Sequence, residues 1–361
     1  MFLILFFGFC LSTVTCLLIV RYQNLHADFT SNSPDGPQKF HDKVTPRIGG
    51  LALFIGIFGM WVLAKFLDLS TLSYPFFLAG MPVFLVGFLE DVTQKIGVKI
   101  RLCAATISGL IAVYLCGGLI THLDIPWVDT ILTSFWVAAI FTCFGIAGLA
   151  NAYNLIDGFN GLASMVGMIA LAAIAYIAFN VGDSAITFKA FVMIAAILGF
   201  FIWNYPRGLI FLGDGGAYLI GYWVAVLSIL LVYRHEEISP WFALLVNAYP
   251  VTETLYTIWR RMVHHGRNPG LPDAAHFHSL IYRKLMRWVA PYNTSSEKTL
   301  YNAATSPFLW VLSSLGVFPA LIFWQSTPAL MVCTFLYVLF YVWCYRQVIR
   351  FRKKGKSKQL S

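Results

Sequence analysis

Residues 162–180 read LASMVGMIALAAIAYIAFN, nineteen positions without one Asp, Glu, Lys or Arg. A helix rising about 1.5 Å per residue crosses the roughly 30 Å of bilayer hydrocarbon in such a length. Working outward, the same ruler finds eleven candidate spans, near 2–20, 48–67, 72–89, 102–120, 130–149, 162–180, 186–203, 215–233, 240–258, 305–323 and 328–345. Of the 361 residues 59% are hydrophobic and only 11% charged, too few charges to cover the surface of a soluble protein of this size. Weak period-2 alternation argues against an outer-membrane barrel. The reading is an all-α, polytopic integral membrane bundle of about eleven transmembrane helices.

Basic residues set the orientation. With the N-terminus outside, 22 of the 25 Lys and Arg fall on inner segments, and only Lys65, Lys189 and Arg234 remain outside. The first span has no basic residue before Arg21, so it reads as an anchor rather than a cleaved signal. The C-terminus is then cytoplasmic, with 346–361 a basic tail. A basic face beside anionic lipid accounts for the net charge of +9 without nucleic acid. The seven cysteines lie in apolar spans without C-x-x-C spacing, so they read as small buried hydrophobes.

The inner loops, 21–47, 90–101, 150–161, 204–214 and 259–304, collect polar residues that a plain bundle does not need. Pro46-Arg47-Ile48-Gly49-Gly50 reads first as a loop end and helix start, with Lys43 and Arg47 as anion contacts at the helix entrance the weaker alternative. Glu90 and Asp91 are adjacent acids at the end of a span, where they repel each other and oppose the helix dipole. That favours a metal or proton site over a solvated pair. Asn151, Asn154 and Asp157 recur every three residues, which places them along one side of a continuing helix. Asp157-Gly and Asn160-Gly then read as breakers. In Phe211-Leu-Gly-Asp214-Gly-Gly216 the glycines allow close backbone approach to a ligand, or Asp214 simply caps a helix. His276-x-His278 lies in basic surroundings without a third metal ligand, which suits phosphate oxygens better than zinc.

All of these groups reach one membrane face. Carboxylate oxygens select Mg²⁺ or Mn²⁺, and Mg²⁺ is commonly held by one or two carboxylates together with substrate phosphates. Carboxylates, a divalent cation and Arg and His donors at a lipid interface describe phosphoryl transfer between a nucleotide and a membrane phosphate.

In this order the motifs resemble those of the polyprenyl-phosphate N-acetylhexosamine-1-phosphate transferases, a glycosyltransferase family that starts O-antigen, common-antigen and teichoic-acid synthesis. Phospho-N-acetylmuramoyl-pentapeptide translocase is a sister branch. Three positions depart from the family pattern. Glu90-Asp91 stands for Asp-Asp, Asn160 for the second Asp of Asp-Gly-x-Asp-Gly, and Pro250-Val-Thr-Glu253 for Pro-x-x-Asp.

The resemblance implies transfer of a sugar 1-phosphate from a UDP-N-acetylhexosamine to polyprenyl phosphate, releasing UMP. A transmembrane domain over 1–345 would carry the site at the cytoplasmic side of a bacterial inner membrane, with a homodimer left open. Glu90, Asp91, Asp157 and Asp214 would be catalytic, with Asp214 the principal Mg²⁺ ligand, Mn²⁺ as the alternative ion, and Asp91 beside it. Lys99, Arg101, Asn151, Asn154, Asn160, Arg207, His276 and His278 would bind substrate. A transporter using one-sided carboxylates is the competing reading, and a scaffold would leave Asp91, Asp157 and Asp214 unexplained. Which N-acetylhexosamine is transferred, and to which glycan it leads, cannot be read from the spacing.

Overall fold

The computed structural model describes residues 1–30, 45–68, 74–265, 275–286 and 295–351. No β-strand occurs among them. Fifteen helices follow in order: α1 (Phe2–Arg21), α2 (Gln23–Thr30), α3 (Gly49–Phe66), α4 (Tyr74–Thr93), α5 (Val98–Cys116), α6 (Pro126–Leu132), α7 (Phe135–Ile156), α8 (Leu162–Asn180), α9 (Ser184–Asn204), α10 (Gly213–Arg234), α11 (Pro240–Val246), α12 (Ala248–Arg260), α13 (Phe277–Ile281), α14 (Ser295–Ile322) and α15 (Thr327–Arg350). Single π-helical turns follow α12 and α13. The basic tail and much of the longest polar loop, with Asp273 in it, lie outside the described residues.

Ten of these helices are long and apolar enough to cross a membrane, and the protein is a multi-pass integral membrane protein. The eleventh expected span, 240–258, is not one helix. It is α11 and α12, meeting at Asn247. Pro250 is the physical reason: it has no N–H to donate, and its ring crowds the carbonyl four residues back, at Val246, where α11 stops. Asn247 bridges the break, its amide donating to the Ala243 carbonyl at 2.9 Å and its oxygen accepting from Tyr153 Oη at 3.2 Å. Pro82, inside α4, is accommodated differently: Ser108 Oγ of α5 accepts the Val83 N–H at 3.0 Å.

The middle of the bundle is α10. Its apolar window is 94% buried, against 17% for α15 at the periphery. Helices α3, α4, α7, α8 and α9 surround it. Such packing without a hydrophobic drive between lipid-solvated helices relies on close backbone approach. The motif glycines supply it: a methyl group on Gly87 of α4 would lie 2.7 Å from the Gly215 Cα of α10. The glycines beside Asp214 therefore bring helices together. Gly213 has φ +74°, a left-handed conformation in which a side chain would run into the Arg47 carbonyl and the Asp91 carboxylate.

Candidate active site

Two motifs distant in sequence join through their backbones. Phe211 N–H donates to the Pro46 carbonyl at 2.8 Å, while Gly49 and Gly50 donate to the carbonyls of Phe211 and Leu212 at 2.9 and 2.8 Å. The first N–H groups of α3, which no helix can satisfy internally, thus find acceptors in the segment leading into α10. The first N–H groups of α10 find theirs in Asp91. Its Oδ1 accepts from Asp214 N at 2.7 Å and its Oδ2 from Gly215 N at 2.9 Å. Asp91 is wholly buried and sits at the positive end of the α10 dipole. It caps a helix to which it does not belong.

Locked in this way, the first turn of α10 presents Asp214 at the junction of four elements. Asn154 Nδ2, on α7, donates to Asp214 Oδ1 at 2.9 Å. Arg101, from the first turns of α5, pairs with Asp214 Oδ2. Arg47 lies between the two acids, 3.4 Å from Asp91 Oδ1 and 3.7 Å from Asp214 Oδ1. One turn further along each helix, Tyr218 Oη donates to Asn151 Oδ1 at 2.9 Å, and the Arg101 guanidinium sits 6.0 Å above the Tyr218 ring. The three-residue spacing of Asn151 and Asn154 therefore meets the four-residue spacing of Asp214 and Tyr218 along the α7–α10 contact.

Asp157 follows α7 as its C-terminal cap, near enough to Asp91 for their charges to interact. Burial pushes the Asp157 carboxyl up to about 7, the Arg47 guanidinium pulling the other way. Beside it, His278 Nε2 packs onto Gly158, only 3.0 Å from where a Cβ would stand, and the Phe159 ring meets the His278 ring edge-on. His276 stacks on His278 with ring centroids 5.3 Å apart. Both histidines are buried.

The remaining sequence candidates sit elsewhere. Glu90, next in sequence to Asp91, turns away and accepts the Ile96 N–H at 2.6 Å, closing the loop between α4 and α5. Asn160 is buried behind the site: its amide donates to the Pro206 carbonyl at 3.3 Å, its N–H to Asn302 Oδ1 at 2.9 Å, and its carbonyl accepts from Ser306 Oγ at 2.6 Å. It braces the turn after α9 against α14. Lys99 and Arg207 are exposed, on the first turn of α5 and in the turn before α10. Arg47, only weakly marked by a basic residue before a Gly-Gly helix start, joins the site, as does Tyr218, for which the sequence carries no signal.

Among the described residues no group of three or more His, Cys, Asp and Glu side chains could cage a metal ion. The donor set suits a hard cation that brings its own phosphate ligands, with Asp214 contributing carboxylate oxygen. Both Asp91 oxygens accept backbone N–H groups, whereas the Asp214 oxygens meet only side chains, those of Asn154, Arg47 and Arg101.

Residues 73–232 match the sequence model of glycosyl transferase family 4. The chain is 30% identical over 265 residues to the phospho-N-acetylmuramoyl-pentapeptide-transferase of Lactobacillus johnsonii, covering 70% of this chain and 80% of that protein. The chain belongs to this family. It is also 28% identical over 332 residues to an undecaprenyl-phosphate alpha-N-acetylglucosaminyl 1-phosphate transferase of Salmonella typhi, covering 89% of this chain and 86% of that one. To a probable undecaprenyl-phosphate N-acetylglucosaminyl 1-phosphate transferase of Bacillus subtilis it is 30% identical over 246 residues, 67% of this chain and 66% of the relative. The family match begins one residue before α4 and ends within α10, and so contains Asp91, Arg101, Asn154, Asp157 and Asp214 but neither Arg47 nor the two histidines.

Proposed function

We propose that the protein transfers a sugar 1-phosphate from a UDP-N-acetylhexosamine to polyprenyl phosphate, releasing UMP at the cytoplasmic face of a bacterial inner membrane. The observation that carries this reading is the convergence of Arg47, Arg101 and Asn154 on Asp214 at one end of the bundle. A phosphoryl transfer site needs fixed positive charge and oriented donors where phosphate oxygens gather, and little covalent chemistry from the protein. The relatives' printed names, which describe transfer to undecaprenyl phosphate, support the same chemistry.

In this reaction an oxygen of the lipid phosphate attacks the sugar-bearing phosphorus of the UDP-sugar. The bridging P–O bond breaks and its electron pair leaves with UMP. Arg47 and Arg101 exchange part of their pairing with Asp214 for the diphosphate oxygens. Asn154 holds Asp214 in place, and His276 and His278 contact the diphosphate from the Asp157-Gly158 side. Mg²⁺, held by Asp214 and the substrate phosphates, would neutralise the charge that builds on the leaving group. Asp91 acts indirectly, by fixing the α10 turn that carries Asp214. A base has little to do, because the second pKa of a phosphate monoester is already about 6.

A transporter would hold its charged groups near the bilayer midplane. Here they stand just before α3, in the first turns of α5 and α10, and at the ends of α4 and α7. Purified protein offered a UDP-N-acetylhexosamine and undecaprenyl phosphate is expected to release UMP only when both are present. UMP release persisting unchanged in Asp214→Asn would sink the assignment of the metal ligand.

A further inference from the structure

Glu253 lies wholly buried on α12, a position where an unbonded carboxylate would be severely costly. Every bond it makes leads to one short segment or its support. Its Oε1 accepts the Phe277 N–H at 3.1 Å and lies 3.3 Å from His276 Nδ1, which is also 3.3 Å from Thr257 Oγ1. Its Oε2 accepts the hydroxyl of Tyr341 at 2.7 Å. One turn along α15, the Tyr345 hydroxyl donates to the Ala275 carbonyl at 2.8 Å. Three successive residues, Ala275, His276 and Phe277, are therefore held at carbonyl, ring and N–H. The Phe277 ring meets the Tyr341 ring edge-on at 5.3 Å, closing the contact with apolar area.

We infer that Glu253, Tyr341 and Tyr345 are positioning residues that latch the His276-x-His278 turn against the active site, which makes the C-terminal helix α15 part of the catalytic apparatus. This rests on the reading of the two histidines as diphosphate contacts. A carboxylate on Nδ1 fixes that nitrogen as the N–H and leaves Nε2 as the atom to meet a ligand. His276 in turn stacks on His278, which abuts Gly158 next to Asp157. The line of contact thus runs from a peripheral helix, well past residue 232 where the family match stops, to the acid cluster. Glutamate rather than aspartate has the reach to bridge the Phe277 N–H and the Tyr341 hydroxyl at once.

The test uses the full chain in detergent, with UDP-N-acetylhexosamine and undecaprenyl phosphate, alongside hydrogen exchange of the peptide covering 275–281. Glu253→Gln keeps the shape but offers the wrong group to the Phe277 N–H or the His276 ring. It is expected to lower kcat/KM for the nucleotide sugar about 10- to 100-fold, leave the KM for undecaprenyl phosphate within about twofold, and speed exchange in 275–281 about tenfold. Tyr341→Phe should do the same more weakly, about 3- to 10-fold, and add little to Glu253→Gln, because the hydroxyl acts through the carboxylate. Tyr337→Phe is the control: its buried hydroxyl has no hydrogen-bond partner among the described residues, and both readouts should stay at wild type. If Glu253→Gln unfolds, Tyr341→Phe, which removes one oxygen, decides. Wild-type exchange in 275–281 for both variants, or turnover of both within twofold of wild type, overturns the latch. If the wild-type chain itself turns over no UDP-sugar, the proposed reaction fails, and the exchange measurement still decides the latch.

Discussion

The carboxylate of Asp91 receives the backbone N–H of Asp214 across 123 residues of sequence, at 2.7 Å, and the N–H of Gly215 beside it. One aspartate caps the helix on which the other is presented. The two acids are therefore coupled through the α10 turn, and replacing each should have a different signature.

Asp91→Asn removes one acceptor oxygen and the charge at the head of α10. A buried N–H left without its acceptor costs about 1–3 kcal/mol, so this variant is expected to lose both thermal stability and turnover. The Asp214 carboxylate meets side chains only, those of Asn154, Arg47 and Arg101, and is partly open to solvent. Asp214→Asn should lose turnover at least about 100-fold with a melting temperature close to wild type. Thermal unfolding in detergent beside UMP release separates the two.

Arg47 spans both acids with Nε toward Asp91 and Nη2 toward Asp214, a geometry that needs a planar fork. Arg47→Lys is expected to retain the charge and still lose about tenfold or more in kcat. Full activity in the lysine variant would show that charge alone suffices there.

Asn160 is bonded to Pro206, Asn302 and Ser306. Asn160→Ala should lower the melting temperature and leave the KM for the UDP-sugar within about twofold, since the loss is one of buried hydrogen bonding. A large rise in KM with unchanged stability would return Asn160 to the substrate.

Burial holds the Asp157 carboxyl near 7, above its ordinary range, so between the two values the folded chain binds a proton that the unfolded chain does not. The associated stability is complete at pH values below the ordinary carboxylate pKa and is lost as pH rises through about 7. Asp157→Asn keeps an uncharged group there. Its melting temperature is expected to stay level between pH 5 and 7, where that of the wild type falls, and a parallel fall in both would contradict the assignment.

Much of the bundle was legible because lipid enforces it: long apolar runs must be helices, and scarce charges mark the exposed ends. Hydropathy reads 240–258 as one helix because it counts residues and ignores the missing donor of Pro250. The three-residue spacing of Asn151, Asn154 and Asp157 gave one face, and two of the three meet α10. The adjacency of Glu90 and Asp91 misled, since neighbours on a helix point about 100° apart. What sequence could not give was pairing at a distance. Nothing local tells that Asp91 caps α10, or that Tyr341 reaches Glu253.

The central claim is that the bond to the sugar-bearing phosphorus is remade on a lipid. UDP-N-acetylhexosamine labelled with ³²P separately at its two phosphorus positions, incubated with the purified chain, Mg²⁺ and undecaprenyl phosphate, tests it most directly. The label on the sugar-bearing phosphorus should move into the solvent-extracted lipid, while the label next to uridine stays in water as UMP. Recovery of both labels in the aqueous phase as UDP or as intact UDP-sugar would contradict it.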